Sequence, residues 1–334
     1  MKVTLFDAKP YDLPGFRRYG EQAGIEFKIY ETKLNEDTVS LAAGSDAVCV
    51  FVNDTVNAPV IDRLAEYGVR AVALRCAGYN NVDLEHAFGK IHVMHVPAYS
   101  PYAVAEHAMS LIMTANRRLH KAVNKVRDNN FSLSGLLGLD LHNKAAGIVG
   151  TGKIGQCMAR ICKGFGMTVI AWDAYPNKAL EEEGLLTYVP WEELLERSDL
   201  ISLHAPLIEG PGGTWHLIDA AAIARMKDTA MLVNTARGGL IDTEALIDAL
   251  KSGKFHAVAL DVYEGEDANV YTDRSVEFLN NDITARLQMF PNVVLTSHQA
   301  FFTREALQAI AAETLENARR FNEGLDLGAA ECRA

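Results

Sequence analysis

The chain has 334 residues and a formal net charge of −11, with 49% hydrophobic and 22% charged residues. This length allows two domains, each with its own core, and the composition is that of an ordinary globular protein. The acidic charge argues against a nucleic-acid partner, since such proteins present clustered basic surfaces. No apolar run approaches the length needed to span a membrane.

The cysteines and the first residues both predict a cytoplasmic protein. There are five cysteines, an odd number, and no CxxC pair occurs, which is typical of reduced thiols that pack in a core. The opening residues MKVTLFDAKP lead directly into a strand-like run and lack the apolar core of a signal peptide. The histidines show no metal-ligand spacing, so we predict no metal site.

The first 100 residues alternate short β-rich runs with helical patterns, of which Pro59–Tyr67 and Val82–Phe88 are examples. This alternation predicts a small doubly wound α/β unit. The unit has no glycine fingerprint, so we do not expect it to bind a nucleotide. The predicted strands are Val3–Asp7, Ile25–Ile29, Ala47–Phe51, Ala71–Leu74 and His92–Val96.

Residues 101–128 predict one long helix, because Pro101 suits a first helical turn and apolar residues recur along one face. A helix of this length between two α/β units is typical of a hinge or a dimer element, although the same face could simply be core. We therefore expect a homodimer or a dimer-based tetramer. Residues 129–143 are polar and contain glycine, which predicts a loop.

A dinucleotide-binding fingerprint follows. The apolar strand Ala145–Val149 leads into a GxGxxG motif formed by Gly150, Gly152 and Gly155, and a helix pattern begins inside the motif. The first glycine permits the tight turn, the second lets the backbone approach a pyrophosphate, and the third lets the helix pack on the strand. The N-terminus of the helix then offers N–H groups to the phosphates.

The fingerprint ends at Asp173, eighteen residues after Gly155 and directly after a second apolar run. Its carboxylate can accept hydrogen bonds from both ribose hydroxyls and would repel a 2′-phosphate. The following residues 174–176 supply no arginine for such a phosphate. Strand, glycines, helix, strand and acid in this order are specific evidence, and they predict NAD rather than NADP.

Further strands and helices alternate up to residue 298, and one helix pattern, Arg304–Phe321, follows. We predict an NAD-binding Rossmann domain over 101–298. The terminal helix is expected to return to the first unit, which gives a discontinuous, flavodoxin-like substrate domain of residues 1–100 and 299–334. The fold class is therefore α/β with two doubly wound parallel sheets. The predicted later strands are Leu200–His204, Ala230–Asn234, His256–Asp261 and Val293–Thr296.

Ligands of open parallel sheets bind at the carboxyl ends of the strands, and that rule selects the catalytic candidates. Arg237 follows one strand and suits a carboxylate anchor, since a guanidinium can donate two parallel hydrogen bonds. His298 follows the last strand and suits an acid–base group, because histidine titrates near neutrality. A carboxylate beside it would favour the imidazolium and orient it, and Glu264, Glu266 and Asp267 are equal candidates on physical grounds.

Motifs along the whole chain resemble the D-isomer-specific 2-hydroxyacid dehydrogenase family, and the first and last of them favour its fermentative D-lactate dehydrogenase branch. The loop at 208–216, IEGPGGTWH, departs from the family by being longer, so we assign no cofactor contact to it. The matching motifs are AVCVFVND (47–54), ALRCAGYNNVDL (73–84), VPAYSPYAVAEHA (96–108), GIVGTGKIG (147–155), DLISLHAPL (199–207), VNTARGGLID (233–242), LDVYEGE (260–266) and SHQAFFT (297–303).

The resemblance implies a role for each matching position. The catalytic arginine, glutamate and histidine of the family fall on Arg237, Glu266 and His298, which selects Glu266 among the three acids. The substrate carboxylate is expected to bind Arg237 and backbone N–H groups of Ala77 and Gly78, beside a pocket lined by Tyr99 and Phe301. NAD contacts are expected, besides the glycines, from Lys153, Ile154, Asp173, Ala205, Pro206, Thr235, Ala236 and Asp261.

The implied activity is reversible, NADH-dependent reduction of pyruvate to D-lactate. The nearest alternative is a sister enzyme for bulkier 2-ketoacids, such as 2-ketoisocaproate or phenylpyruvate. Formate dehydrogenase is disfavoured, since that relative carries an amide where Glu266 stands, and a phosphoglycerate enzyme would have an added regulatory domain. An NADH-sensing corepressor is the alternative of another class, and the lack of low-complexity arms argues against it.

Overall fold

The computed structural model describes residues 1–266 and 269–333. The chain divides into two compact units, a first unit of residues 1–100 with 302–334 and a second unit of residues 101–301. Each unit is built on its own parallel sheet with helices around it, so the predicted α/β class with two doubly wound sheets is confirmed. None of the helices in the described part of the chain is long and apolar enough to cross a membrane.

The first unit contains a five-stranded parallel sheet in the order β2-β1-β3-β4-β5. This 2-1-3-4-5 order is that of flavodoxin-like folds. The central strands β3 and β4 are buried along their whole length, as expected for strands covered by helices on both faces. The strands are β1 Lys2–Leu5, β2 Glu26–Ile29, β3 Ala47–Val50, β4 Ala71–Leu74 and β5 His92–Met94.

A helix from the end of the chain completes the first unit by packing against α1 and β4. The contact with α1 is close, because a Cβ added at Gly15 would lie 2.8 Å from Ala311 Cβ. The tail beyond that helix adds to the sheet edge, where Cys332 N–H donates to Val93 O at 2.9 Å. The helices are α1 Leu13–Gln22, α2 Ala58–Glu66, α3 Leu84–Ala87 and α12 Arg304–Asn322.

The second unit contains a seven-stranded parallel sheet in the order β12-β11-β10-β9-β6-β7-β8. Read from β8, the order is 3-2-1-4-5-6 followed by a seventh strand, which is the Rossmann arrangement with one strand added. The switch point therefore lies between β6 and β9. The strands are β6 Ala145–Val149, β7 Thr168–Trp172, β8 Thr187–Tyr188, β9 Leu200–Leu203, β10 Met231–Asn234, β11 Ala257–Leu260 and β12 Val293–Leu295.

Helices cover both faces of this second sheet. The longest of them, α4, packs on α6, β10 and β11 and buries its apolar face in the core of the unit. The helices are α4 Pro101–Asn116, α5 Leu119–Arg127, α6 Lys153–Gly164, α7 Lys178–Glu182, α8 Trp191–Arg197, α9 Ala220–Arg225, α10 Thr243–Lys251 and α11 Asp282–Met289.

The prediction of one long helix over 101–128 was wrong, because the helix breaks between α4 and α5. Arg118 lies at the break with a left-handed φ of 51°, and its guanidinium donates to Ala115 O at 2.5 Å and to His256 O at 2.7 Å. Asn116 adds two bonds at 2.8 Å to the backbone of Leu139. The bonds to His256 and Leu139 are long-range, and they outweigh a local preference for continuous helix.

Candidate active site

Three neighbouring strands of the second sheet lead to the three predicted catalytic side chains. Arg237 follows β10, Glu266 follows β11 and His298 follows β12. These strands lie side by side in the sheet, so their carboxyl ends meet at one edge. That edge is where ligands bind in open α/β sheets.

His298 and Glu266 are in direct contact. His298 Nδ1 lies 2.9 Å from Glu266 Oε1, and Glu266 Oε2 accepts a hydrogen bond from Tyr263 N–H at 3.2 Å. The glutamate side chain is 11% exposed, whereas the imidazole is 31% exposed. The carboxylate therefore orients the ring from the buried side. Nε2 makes no hydrogen bond to any described residue, so this nitrogen is available for proton transfer.

The backbone of His298 is held in an unusual conformation. Its φ of 48° lies in the left-handed region, which residues other than glycine rarely adopt. Two hydrogen bonds fix it: His298 N–H donates to Asp261 O at 2.9 Å, and the Tyr271 hydroxyl donates to His298 O at 2.7 Å. Conformations of this kind persist where the surroundings over-determine them, as they do at many functional sites.

Asp261 anchors the loop that carries His298. Its buried carboxylate accepts hydrogen bonds from Gln299 N–H at 3.0 Å and Ala300 N–H at 2.8 Å, and from the Thr296 hydroxyl. His107 Nε2 on α4 lies 3.2 Å from the same group. Burial would raise the pKa of Asp261, but the bonds from His107, Thr296 and Gln299 outweigh it and lower the pKa, so the carboxylate is charged.

Arg237 is half-buried, and most N–H groups of its guanidinium donate to no described residue. Its Nη1 donates to Ala236 O at 2.7 Å, and Asn234 Nδ2 donates to Arg237 O at 2.8 Å. Among the described residues, no carboxylate forms an ion pair with the guanidinium. A planar cation placed at a strand end without a protein counter-ion is suited to a carboxylate ligand.

The geometry also distinguishes among the three acids that were equal candidates, on physical grounds, for the partner of His298. Glu264 lies away from His298: its Oε1 is 2.8 Å from His216 Nε2, and its Oε2 accepts from Thr243 N–H at 3.1 Å. Asp267 lies outside the described residues. Of the two described acids, only Glu266 contacts His298.

The glycine turn after β6 has the geometry that the fingerprint predicts. Gly150 has a φ of 89°, and a Cβ there would lie 2.7 Å from Ala205 N. A Cβ at Gly155 would lie 2.0 Å from Gly150 O, so this glycine permits the close approach of α6 to the turn. A Cβ at Gly152 would meet nothing within 4 Å. The space beside Gly152, at the N-terminus of α6, is therefore open to a phosphate group.

Comparisons with known proteins agree with this geometry. The model of the D-isomer specific 2-hydroxyacid dehydrogenase NAD-binding domain matches residues 109–300. D-lactate dehydrogenase of Escherichia coli K12 is 45% identical over 97% of this chain and 98% of its own length. The chain belongs to the D-isomer specific 2-hydroxyacid dehydrogenases. It is an NAD-dependent oxidoreductase, as the sequence predicted.

Solved structures of this family superpose on the whole dehydrogenase. The pyruvate reductase of Chlamydomonas reinhardtii is 41% identical, with a TM-score of 0.92 and coverage of 98% of both chains. A D-2-hydroxyisocaproate dehydrogenase is 30% identical, with a TM-score of 0.88 and coverage of 100% of both chains. These two relatives bear names that refer to different substrates, so family membership alone does not select the 2-ketoacid.

The residues of the dehydrogenase fit NAD. The hydroxyl of Thr235, directly after β10, is buried and has no hydrogen-bond partner among the described residues, as expected of a group that awaits a ligand. Asp173 accepts bonds from Thr151 N–H at 2.6 Å and Tyr175 N–H at 2.8 Å, each on a different oxygen. Burial would raise the pKa of Asp173, but these bonds lower it, so the carboxylate is charged, as the predicted contact with a ribose requires.

The other predicted NAD contacts lie on the same sheet edge. Lys153 and Ile154 form the first turn of α6, Ala205 and Pro206 follow β9, and Ala236 follows Thr235. Asp261 is committed to the His298 loop through both of its carboxylate oxygens. The individual contacts of these residues with NAD stay predictions.

The predicted substrate residues of the first unit follow adjacent strands. Ala77 and Gly78 follow β4, and Tyr99 follows β5. The N–H groups of Ala77 and Gly78 donate to no described residue, so both are available to a ligand. Phe301, in the second unit, packs edge-on against Tyr271 with ring centroids 6.3 Å apart. The roles of these residues toward a substrate stay predictions.

Three supporting residues were not found from the sequence. His107 and Tyr271 hold the loop of His298, although His107 stands in the motif VPAYSPYAVAEHA (96–108). His216 ends the long loop 208–216 and joins it to Glu264. The loop is also closed on itself, since Thr214 N–H donates to Ile208 O at 2.8 Å. No local sequence pattern indicates these contacts. Each of them either joins residues that are distant in sequence or depends on the geometry of a loop.

Proposed function

We propose that this dehydrogenase catalyses the reversible, NADH-dependent reduction of pyruvate to D-lactate. The observation that carries the proposal is the His298–Glu266 contact of 2.9 Å beside the strand that leads to Arg237, a cation with no carboxylate partner among the described residues. An acid–base group and a carboxylate anchor at one sheet edge are what reduction of a 2-ketoacid requires. The names of the Escherichia coli and Chlamydomonas relatives support pyruvate and lactate as the substrate pair.

Each of the three side chains has one task in the proposed mechanism. NADH, when bound, supplies the hydride. Protonated His298 donates a proton from Nε2 to the carbonyl oxygen, and the reverse reaction returns the proton to the same atom. Arg237 binds the carboxylate through two hydrogen bonds and polarises the carbonyl. Glu266 keeps His298 protonated and fixes the direction of Nε2.

The first unit contributes to substrate binding in this proposal. The N–H groups of Ala77 and Gly78, which donate to no described residue, donate to the substrate carboxylate, as the family resemblance implies. By the same resemblance, Tyr99 of the first unit and Phe301 of the second are each assigned a contact with the substrate methyl group. Two aromatic side chains favour a small substrate, which supports pyruvate over branched 2-ketoacids.

A bulkier 2-ketoacid is the second candidate, because a D-2-hydroxyisocaproate dehydrogenase superposes over the full chain. The test is a steady-state comparison of NADH oxidation with pyruvate, phenylpyruvate, 2-ketoisocaproate and oxaloacetate. The highest kcat/KM is expected for pyruvate. A preference for phenylpyruvate or 2-ketoisocaproate would assign the bulkier substrate, and tight NADH binding without any turnover would point to an NADH-sensing protein instead.

Replacing Glu266 by glutamine is expected to narrow the pH range of reduction. Glu266→Gln removes the negative charge beside His298 Nδ1, so the imidazole loses its proton at lower pH. The pH at which kcat/KM for pyruvate falls to half its maximum should therefore move down. A pH–rate profile from acid to alkaline pH measures this shift.

Glu264→Gln provides the matched control, since Glu264 pairs with His216 at 2.8 Å instead of His298. Its pH profile is expected to superpose on that of the unmodified enzyme. Equal shifts in both variants would show that the effect is a general change of charge, and no shift in Glu266→Gln would remove the assigned role of Glu266.

We further propose that the dehydrogenase assembles as a homodimer or a dimer-based tetramer in the cytoplasm. Helix α5 exposes Leu119, Val123 and Val126 to about one half each, and the following loop exposes Leu133 and Leu137 to more than 80%. An apolar face of this kind marks an interaction site, and a second copy of the chain is the simplest partner. Sedimentation equilibrium is expected to give at least twice the monomer mass of 36.6 kDa. The reduced cysteines suit the cytoplasm.

A further inference from the structure

We propose that His95 is a positioning residue that aims the N–H group of Gly78 at the substrate carboxylate. The proposal rests on the proposed function, in which Ala77 and Gly78 bind that carboxylate. His95 follows β5 and lies in the first unit together with the loop that it contacts. His95 donates no hydrogen bond to a reacting atom. It acts through the peptide bond between Ala77 and Gly78.

The imidazole of His95 joins two backbone segments. Its Nδ1 lies 2.8 Å from Ala77 O, and its Nε2 lies 3.2 Å from Ala329 O in the C-terminal tail. Both partners are carbonyl oxygens, which only accept hydrogen bonds, so a neutral ring can donate to one of them at a time. The shorter contact favours the tautomer with the proton on Nδ1, which donates to Ala77.

Holding Ala77 O determines the direction of the next N–H group. The peptide unit is planar and trans, so Ala77 C=O and Gly78 N–H lie in one plane and point in opposite directions. A donor on the oxygen also polarises the amide and strengthens its N–H as a donor. The Gly78 N–H has no acceptor among the described residues. His95 thus orients and strengthens a donor that the protein itself leaves for a ligand.

His95 is itself held firmly enough to position another group. Its N–H donates to Ala330 O at 2.9 Å, and its C=O accepts from Asn317 Nδ2 at 3.0 Å. Asn317 lies on α12 and is 1% exposed. The ring of Tyr79 packs edge-on against the imidazole, with centroids 5.1 Å apart.

The next peptide of the same loop is held as well. Cys76 Sγ donates to Gly78 O at 3.2 Å, and Val96 N–H donates to Cys76 O at 3.0 Å. The bonds to Ala77 O and Gly78 O leave little freedom for the peptide planes on either side of Gly78. Of the groups that hold them, His95 is the one that links the loop to both α12 and the tail.

Two amide substitutions separate the two ring contacts. The side-chain nitrogen of asparagine reaches the place of Nδ1, so His95→Asn retains a donor for Ala77 O and gives up the contact with Ala329 O. The side-chain nitrogen of glutamine reaches the place of Nε2, so His95→Gln places a donor opposite Ala329 O and loses the bond to Ala77 O. Steady-state kinetics with pyruvate are compared for the two variants and the unmodified enzyme, with thermal unfolding measured in parallel.

The expected result is a split between KM and kcat. His95→Gln should raise KM for pyruvate roughly tenfold with kcat within about twofold. The reason is that the Gly78 N–H holds the carboxylate equally in the ground state and the transition state, so its loss weakens binding without slowing the chemical step. His95→Asn should leave both constants within about twofold, although both variants lose some thermal stability. If His95→Gln does not fold, His95→Phe replaces it, since it also lacks the donor to Ala77, and the same rise in KM is expected.

The outcomes separate this proposal from the function on which it rests. If the unmodified enzyme reduces pyruvate and the Asn and Gln variants have equal KM values, His95 is only structural and the positioning role is overturned. If the unmodified enzyme oxidises NADH with neither pyruvate nor 2-ketoisocaproate, the proposed function fails and the positioning role fails with it. A rise in KM confined to His95→Gln or His95→Phe supports the proposal.

Discussion

Replacing His298 by alanine is expected to lower kcat for pyruvate reduction by roughly 10²–10⁴-fold, the usual contribution of a positioned acid–base group, while the Kd for NADH changes less than about threefold. The loss is large because His298 Nε2 is the atom proposed to donate the proton to the carbonyl oxygen. The Kd is preserved because the cofactor residues predicted around the glycine turn are untouched. Stopped-flow measurement of NADH oxidation and fluorescence titration of NADH give the two quantities.

His216→Ala is the matched control for this prediction. His216 is another histidine of the second unit with a left-handed φ, 50°, and it contacts a glutamate at 2.8 Å as His298 does. It lies on a different loop, so its removal should leave kcat close to that of the unmodified enzyme. Equal losses in kcat and NADH affinity for His298→Ala would show that the residue supports the fold of the site instead of the chemistry.

Replacing Arg237 by methionine is expected to lower kcat/KM for pyruvate by roughly 10²–10⁴-fold, since two charge-assisted hydrogen bonds of about 1.5–3 kcal/mol each are lost. Arg237→Lys should recover only part of this loss, because an ammonium group lacks the planar fork that binds a carboxylate through two parallel bonds. Steady-state kinetics with saturating NADH measure both variants.

Arg286→Lys is the control for the arginine series. Arg286 contacts both oxygens of Glu244, at 2.9 and 3.0 Å, on the surface of the second unit. Its replacement is expected to leave kcat/KM unchanged, since surface ion pairs contribute little. Retention of the normal KM for pyruvate in Arg237→Met would contradict the assigned carboxylate anchor.

The parts of this enzyme that local chemistry determines were predictable from the sequence. The glycine turn is the best example, because strand, turn and helix follow one another and each glycine has a separate steric reason. The strand β6 begins and ends at the predicted residues, since an apolar run that leads into the glycine turn defines it locally. The positions of Arg237 and His298 were also predictable, because each residue follows a strand that an apolar run defines.

Long-range contacts account for what the sequence did not reveal. The break at Arg118 depends on a hydrogen bond to His256, which is 138 residues away. Physical reasoning could not separate Glu264 from Glu266, because their distinction lies in which loop each acid faces; the family resemblance selected Glu266, and the structure places it against His298. The contact of His95 with Ala329 joins residues 234 apart and has no pattern in the sequence.

The central claim is that the enzyme makes D-lactate from pyruvate and NADH. The most direct test is chiral analysis of the lactate formed when the purified chain consumes a limiting amount of NADH with excess pyruvate. We predict one D-lactate for each NADH oxidised and no L-lactate. L-lactate as the product, or no oxidation of NADH with pyruvate, would contradict the account.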